Sequence, residues 1–420
     1  MYKESKLDNG VRVITSNMPH TRSVSVVFFV GVGSRYESDA EAGISHLIEH
    51  VCFRGTEKRR SCIEISEAIE SVGGIINGGT DKELTTFWCM TACQHFPLAI
   101  DVLVDLLRNP RFDAQDIDRE RQIVIEEINM SLDSPRQRVG MLIDELLWPG
   151  YPLGRDVAGS KETVSAIARK QIIDFYSSHH LPNSTVVSIA GEINQEQVND
   201  ILNQAINDWQ PGKTATTLPS KNSQGAAKLN IEFRDTEQVQ MCIGVHGPSL
   251  RHPDRFAANL LNTVLGEGMS SRLFTELREK QGLAYDIHSY TDNLTDTGAM
   301  IIHAGVDPER TEEALLAILE QLSRLKDNIS ENELRKAKEM AKGHLLLGLE
   351  SSRNVAVWLG SQALLTNEIL TIDDIIPLID AISLEDLKRV AKQLLTTEKM
   401  NLAIVGPIKK EERLADMLKL

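Results

Sequence analysis

The sequence predicts an α+β protein built as two related α/β sandwich domains. Each is expected to be a mixed sheet flanked by helices, the pair arising from an internal duplication and joined by a linker. Residues 166–193 (AIARKQIIDFYSSHHLPNSTVVSIAGEI) align without gaps to residues 381–408 (AISLEDLKRVAKQLLTTEKMNLAIVGPI), an offset of 381 − 166 = 215. Identity is confined to Ala166/Ala381, Ile167/Ile382, Ile189/Ile404, Gly191/Gly406 and Ile193/Ile408. The shared pattern says more: a helix, a turn, a β-branched strand ending in Gly, then a polar helix. Between the copies, residues 209–227 (WQPGKTATTLPSKNSQGAA) hold two Pro, two Gly and many Ser and Thr. That is linker composition. The 420 residues suit two or three domains at ~150 residues each. The expected division is therefore 1–210, a linker at 211–227, and 228–420.

The elements follow in order. Asn9-Gly10 between short apolar runs is a hairpin signal, because both residues tolerate the positive φ of a tight turn. Val24–Val32 (VSVVFFVGV) is nearly continuous apolar sequence and reads as a buried strand. Glu41–Phe53 and Ile63–Val72 carry apolar residues at helical spacing. Ile75–Thr91 returns to strand character around an Asn77-Gly78-Gly79 turn. Asp113–Leu132 reads as a long helix with Asp113 placed to cap it.

Composition bounds the function. Hydrophobic residues make up 41% and charged residues 25%, the balance of a globular chain. Lys and Arg number 45 against 60 Asp and Glu, a net charge of −15. Such a chain repels phosphate backbones, which argues against nucleic acid and favours a cationic partner. No apolar run approaches the ~20 residues that span a bilayer, so no membrane partner is expected. The opening MYKESKLDNGVRVITSN lacks the apolar core of a secretory signal. Cys52, Cys62, Cys89, Cys93 and Cys242 are odd in number and loosely spaced, which argues against a disulfide framework. A reducing, cytoplasmic location is the expectation.

The chemistry concentrates at His46-Leu47-Ile48-Glu49-His50. Histidines four apart on a helix share one face, so both rings reach one ion. Neutral imidazole suits zinc. Glu49 sits one turn beyond His46, placed to face a water beside the metal without being a ligand. A catalytic zinc site needs a third protein ligand and an open position. In the later helix, Ile117, Val124 and Ile128 form the apolar centre at ~100° per residue. Glu127 and Glu120 lie on one flank beside Ile123, while Glu126 points to solvent. Glu127 is therefore expected as a buried carboxylate, which is costly unless paired or metal-bound. Glu120, two turns away, is too distant for the same bond. It suits either a supporting contact to a ligand or a plain ion pair.

These residues resemble the pitrilysin, insulin-degrading enzyme and mitochondrial processing peptidase family of zinc peptidases. The order H-x-x-E-H is that of the inverzincins, the reverse of H-E-x-x-H. Gly43-Ile44-Ser45 before the motif and Phe53-Arg54-Gly55-Thr56 after it also match, closest to the short processing-peptidase branch. The family's third ligand lies 77 residues after the second histidine, and 127 − 50 = 77; its supporting Glu lies seven earlier, at Glu120. The resemblance spans nearly the whole chain. It implies one Zn²⁺ per chain on His46, His50 and Glu127, with Glu49 as general base. The implied activity is endopeptidase cleavage of unfolded, extended peptides or presequences in an enclosed chamber.

The second half has no H-x-x-E-H. Its Gly266-Glu267-Gly268 stretch lacks the Gly-Lys-Ser/Thr ending of a phosphate loop. The resemblance assigns an Arg and a Tyr seven apart to this half, and Arg278 and Tyr285 fit. Arg binds a peptide carbonyl or carboxylate, and Tyr donates to a developing oxyanion. The resemblance also makes Asn77-Gly78-Gly79-Thr80 a strand edge where the substrate adds as a further strand. Gly78-Gly79 departs from the family's usual non-glycine pair, which is expected to loosen that edge. A two-domain chain with one metal motif implies a dimer, either with itself or with a related subunit. The rival reading is a non-catalytic core or peptide-binding subunit that needs a partner; the intact motif weighs against it.

Overall fold

The computed structural model describes residues 2–221, 224–409 and 411–420. The chain divides into two compact units, each assembled from three stretches. One comprises Met1–Asn129, Arg155–Leu218 and Leu347–Thr371; the other comprises Met130–Gly154, Pro219–Leu346 and Ile372–Leu420.

In the first unit, β1 (Lys3–Lys6), β2 (Arg12–Asn17), β3 (Ser23–Val30), β4 (Ile75–Thr80), β5 (Thr85–Ala92) and β6 (Thr185–Gly191) form one sheet ordered β1-β2-β6-β3-β5-β4. The expected hairpin joins β1 to β2, with the Gly10 N–H donating to the Leu7 carbonyl at 2.9 Å. β3 lies inside the sheet between β6 and β5, which explains why VSVVFFV is apolar on both faces. β2 and β6 run parallel and the remaining pairs antiparallel, so the sheet is mixed.

Among the described residues, the second unit repeats this plan with one strand fewer. β7 (Lys228–Phe233), β8 (Val239–Gly247), β9 (Ala284–Asn293), β10 (Gly298–Val306) and β11 (Asn401–Gly406) are ordered β7-β11-β8-β10-β9. That is the order β2-β6-β3-β5-β4, again with one parallel pair, β7 with β11. The aligned segments take equivalent places. Helices Arg169–His179 and Leu384–Leu394 precede β6 and β11, which end at Gly191 and Gly406.

The units exchange helices, which the contiguous division at 210 and 228 does not contain. Helix Ser352–Thr366 packs Val355, Ala356, Leu359 and Ala363 onto Ile14, Val27, Phe29, Val186 and Ala190 of the first sheet. Helix Pro135–Leu147 packs Val139, Leu142, Ile143 and Leu147 onto Cys242, Ile301, Ala403 and Val405 of the second. An apolar helical face specifies that it must be covered, not which sheet covers it. The expected linker at 211–227 carries no helix or strand where described; its residues 222 and 223 lie outside the described residues.

Two local expectations change. Asn77-Gly78-Gly79 is not a turn: it lies within β4, paired to Trp88, Phe87 and Thr86. The chain reverses at 81–84 instead, where the Asp81 N–H donates to the Leu84 carbonyl at 2.8 Å. Asp113 precedes helix Ala114–Asp133, but its carboxylate pairs with Arg111. All five cysteines are free. Among the described residues, no helix is long and apolar enough to cross a membrane.

Candidate metal centre

The site begins with how helix Ile44–Cys52 starts. Gly43 takes φ +93°, and a Cβ there would stand 2.4 Å from the Ala158 carbonyl oxygen, so only glycine fits. Glu37 accepts the backbone N–H groups of Gly43 and Ser45, each at 2.8 Å. It thereby satisfies donors that a helix start leaves free. Burial pushes its carboxyl up to about 7, against the Ser45 and Gly43 hydrogen bonds that favour the charged form. Leu47, Ile48, Val51 and Cys52 are buried and fix the rotation of the helix. His46 and His50 then share the remaining face, their ring centroids 4.6 Å apart.

Helix Ala114–Asp133 brings the acids. Ile117, Val124 and Ile128 are buried as expected. Glu127 Oε2 lies 3.8 Å from His46 Nε2 and 3.6 Å from His50 Nε2. Its side chain is 44% exposed, so the expected burial of Glu127 is not what holds it there. The buried acid of this helix is Glu120, at 2%. It accepts a hydrogen bond from His50 Nδ1 at 3.0 Å and pairs with Arg54. Arg54 explains how Glu120 tolerates burial. Glu126 is exposed, as the helix phase requires.

The two histidines differ electrostatically. Burial, then the neighbouring His50, presses His46 down to about 4. Burial also opposes a charge on His50, but the Glu120 hydrogen bond and the Glu49, Glu127 and Glu120 charges outweigh it and raise it.

Glu49 lies beside the same two histidines. Its donor atom and those of both histidines lie within 4.8 Å of one another. Thr80 Oγ1 donates to Glu49 Oε2 at 3.4 Å. A Cβ at Gly78 would stand 2.7 Å from Glu49 Oε1 and 2.9 Å from the Phe53 ring. Glycine at 78 therefore makes room for the carboxylate against the sheet edge, a role the sequence reading did not give it. Burial raises Glu49 above the ordinary carboxylate range, opposed by His50 and the Thr80 hydrogen bond.

The donor set fits a zinc ion. Two imidazole nitrogens and one carboxylate oxygen converge, and ligand atoms around a tetrahedral zinc stand about 3.3–3.5 Å apart. The separations of 3.6 and 3.8 Å need only a small contraction. His50 has a carboxylate on its far nitrogen, the usual orienting partner of a metal-bound histidine. Among the described residues, buried His46 Nδ1 has no hydrogen-bond partner. Glu120→Gln should accordingly weaken zinc binding by about 10–100-fold, measured by competition with a chromophoric chelator. An unchanged affinity would reduce Glu120 to an ion pair with Arg54.

Arg278 and Tyr285 lie in the second unit. Arg278 sits on Phe274–Lys280, a π-helical segment, a rare form that recurs at functional sites. Its guanidinium stands 5.3 Å from the Tyr285 ring centroid and 4.8 Å from that of Phe274. Its nearest acid, Glu279, is 3.9 Å away. Tyr285 is 77% exposed at the start of edge strand β9, so it is not a core residue. Asn77, Gly78, Gly79 and Thr80 lie on edge strand β4 of the first unit.

Comparison with known proteins places the chain in a family. Residues 12–161 match the family described as Insulinase (Peptidase family M16), and residues 166–341 match the Peptidase M16 inactive domain. An uncharacterized zinc protease of Mycobacterium leprae is 34% identical over 99% of this chain and 94% of its own length. The chain belongs to peptidase family M16. The uncharacterized zinc protease YmxG of Bacillus subtilis is also 34% identical, over 97% of this chain and 98% of its own. Among solved structures, a protease from Helicobacter pylori superimposes with a TM-score of 0.93 at 24% identity, covering 97% of this M16 chain and 99% of that one. A chain of the Candida albicans Complex III2 reaches 0.88 at 20% identity, with full coverage of both. Both likenesses are of fold. The motif His46–His50 and Glu127 fall inside the first matched segment, and the segment described as inactive contains neither.

Proposed function

We propose that this M16 chain is a zinc-dependent endopeptidase acting on unfolded, extended peptides. One observation carries the reading: Glu127 Oε2 lies 3.8 and 3.6 Å from His46 Nε2 and His50 Nε2, with the Glu49 carboxylate within 4.8 Å of the same histidines. His46, His50 and Glu127 would hold one Zn²⁺ per chain. When bound, zinc would supply a Lewis acid that polarises a peptide carbonyl and lowers the pKa of a water from about 15.7 toward ~7. Glu49 takes the proton of the attacking water and delivers it to the leaving amine. Its burial supports this, since a base with a raised pKa suits proton transfer near neutrality. Tyr285 and Arg278 donate to the carbonyl oxygen as negative charge develops there. The backbone of β4 at Asn77–Thr80 offers an open edge for an extended substrate to join as a strand. The net charge of −15 favours cationic peptides such as presequences.

The active unit in this reading is a dimer, of two copies or with a related chain, in which each subunit lends Arg278 and Tyr285 to the other's site. The free cysteines fit a reducing, cytoplasmic setting. The test is a quenched fluorescent, unstructured cationic peptide incubated with the purified chain. Chelation should abolish cleavage, and one equivalent of zinc should restore it. Cleavage that survives complete metal removal would refute the zinc mechanism. A zinc-loaded chain inert toward an unbiased peptide library would favour the subunit that needs a partner.

A further inference from the structure

We propose that Asp286, His288 and His303 form a second metal site, in the other unit, for a divalent first-row transition ion such as Zn²⁺. The proposal is independent of the peptidase reading. β9 and β10 pair antiparallel with His288 directly opposite His303. Facing residues of paired strands project to the same side of a sheet, and Asp286 joins them two residues before His288. The ring centroids of His288 and His303 lie 5.2 Å apart. One donor atom from each of the three residues falls within 4.8 Å of the others.

The spacing matches that of the first centre. His288 Nδ1 lies 3.6 Å from Asp286 Oδ1, and His303 Nδ1 lies 3.8 Å from Asp286 Oδ2. At the first centre the two histidines stand 3.6 and 3.8 Å from Glu127. These gaps are too long for hydrogen bonds and close to the separation of two ligands on one ion. His303 supplies an independent observation. It is 5% exposed, and among the described residues neither of its ring nitrogens has a hydrogen-bond partner. Buried polar atoms are normally satisfied, so two unsatisfied nitrogens on one ring call for a ligand. Burial disfavours the imidazolium, which leaves a lone pair for coordination. His288 and Asp286 are 37% and 38% exposed, which gives an ion access and leaves room for water ligands.

One group competes. Arg136, on helix Pro135–Leu147, pairs with Asp286 Oδ2. An ion must therefore share or displace that guanidinium, and binding should be weaker than at the first centre. Two imidazoles and a carboxylate suit zinc, copper or nickel over calcium or magnesium. Asp286 follows Tyr285 directly, so binding is a cleaner readout than activity.

The experiment uses the chain already loaded with one equivalent of zinc, titrated calorimetrically with further Zn²⁺. A second, weaker equivalent should bind. His288→Ala and Asp286→Asn should each weaken it by at least about ten-fold. Arg136→Gln should tighten it by about ten-fold by removing the competing cation. His46→Ala/His50→Ala should remove the tight equivalent and keep the weak one, which separates this proposal from the first centre. His303 is left intact because replacing so buried a ring risks the fold. Absence of a second equivalent, or one indifferent to both His288→Ala and Asp286→Asn, would overturn the site.

Discussion

Glu49→Gln should leave zinc at one equivalent per chain while lowering kcat by on the order of 10²–10⁴-fold, the usual share of a general base. That is a barrier increase of about 2.7–5.5 kcal/mol. The amide is nearly isosteric and can still accept from Thr80, but it cannot take a proton. The ligand atoms of His46, His50 and Glu127 are untouched by the change. A companion variant separates position from protonation. Gly78→Ala keeps the Glu49 carboxylate but places a methyl 2.7 Å from its present Oε1. The side chain must move, so turnover should fall about ten-fold or more with zinc retained, because a small misplacement of a reacting group costs rate steeply. Near-normal turnover by zinc-replete Glu49→Gln protein would remove Glu49 from the mechanism. Loss of zinc in that variant would instead make Glu49 a ligand.

What was legible in the sequence follows from periodicity. His46, Glu49 and His50 depend only on the turn of one helix, and their arrangement emerges directly from 3.6 residues per turn. Glu127 was separable from Glu126 on the same ground. Helix phase gave its direction correctly and its burial wrongly, because the depth of a flank depends on what packs against it. The pairing of two helices 70 residues apart, through His50 and Glu120, was reachable only through the family's spacing. Nothing in the sequence gives Arg54 a role, although it lies four residues after His50 and so on the same side of the chain's path. Glu37 was missed because a carboxylate that satisfies two backbone N–H groups leaves no periodic signal. Asn-Gly-Gly favours a turn by local chemistry. Here tertiary context prevails: strand β4 needs a residue without a side chain where Glu49 abuts it. The exchanged helices were illegible for a broader reason. Both sheets offer apolar faces, and partner choice between two similar faces is a property of the whole chain.

Mixing Glu49→Gln chains with Arg278→Ala/Tyr285→Ala chains should restore activity that neither has alone. In the proposed dimer each homodimer would be crippled at both sites, one lacking the proposed base and the other the proposed donors to the carbonyl oxygen. The two defects lie in different units of the chain, so subunit exchange can sort them. In a heterodimer whose sites borrow Arg278 and Tyr285 from the partner subunit, one site combines an intact Glu49 with intact donors. The other site combines both defects. Free exchange at equal concentrations makes half the dimers mixed, so about a quarter of the wild-type sites should return. Donors acting within their own chain give no such site, because every Glu49 then remains beside mutated partners. Exchange itself is followed with differently tagged chains, and the recovered rate should rise with the mixed fraction. The exposure of Tyr285, at 77%, and its contact with Arg278 make the double variant a mild one for folding. Exchange without recovery would confine the donors to their own chain or remove them from catalysis. Full activity of a wild-type monomer would refute shared sites outright. Recovery near one quarter would tie the duplicated architecture to its use: one copy keeps the metal ligands, and the other supplies its partner subunit with the groups that hold the reacting carbonyl.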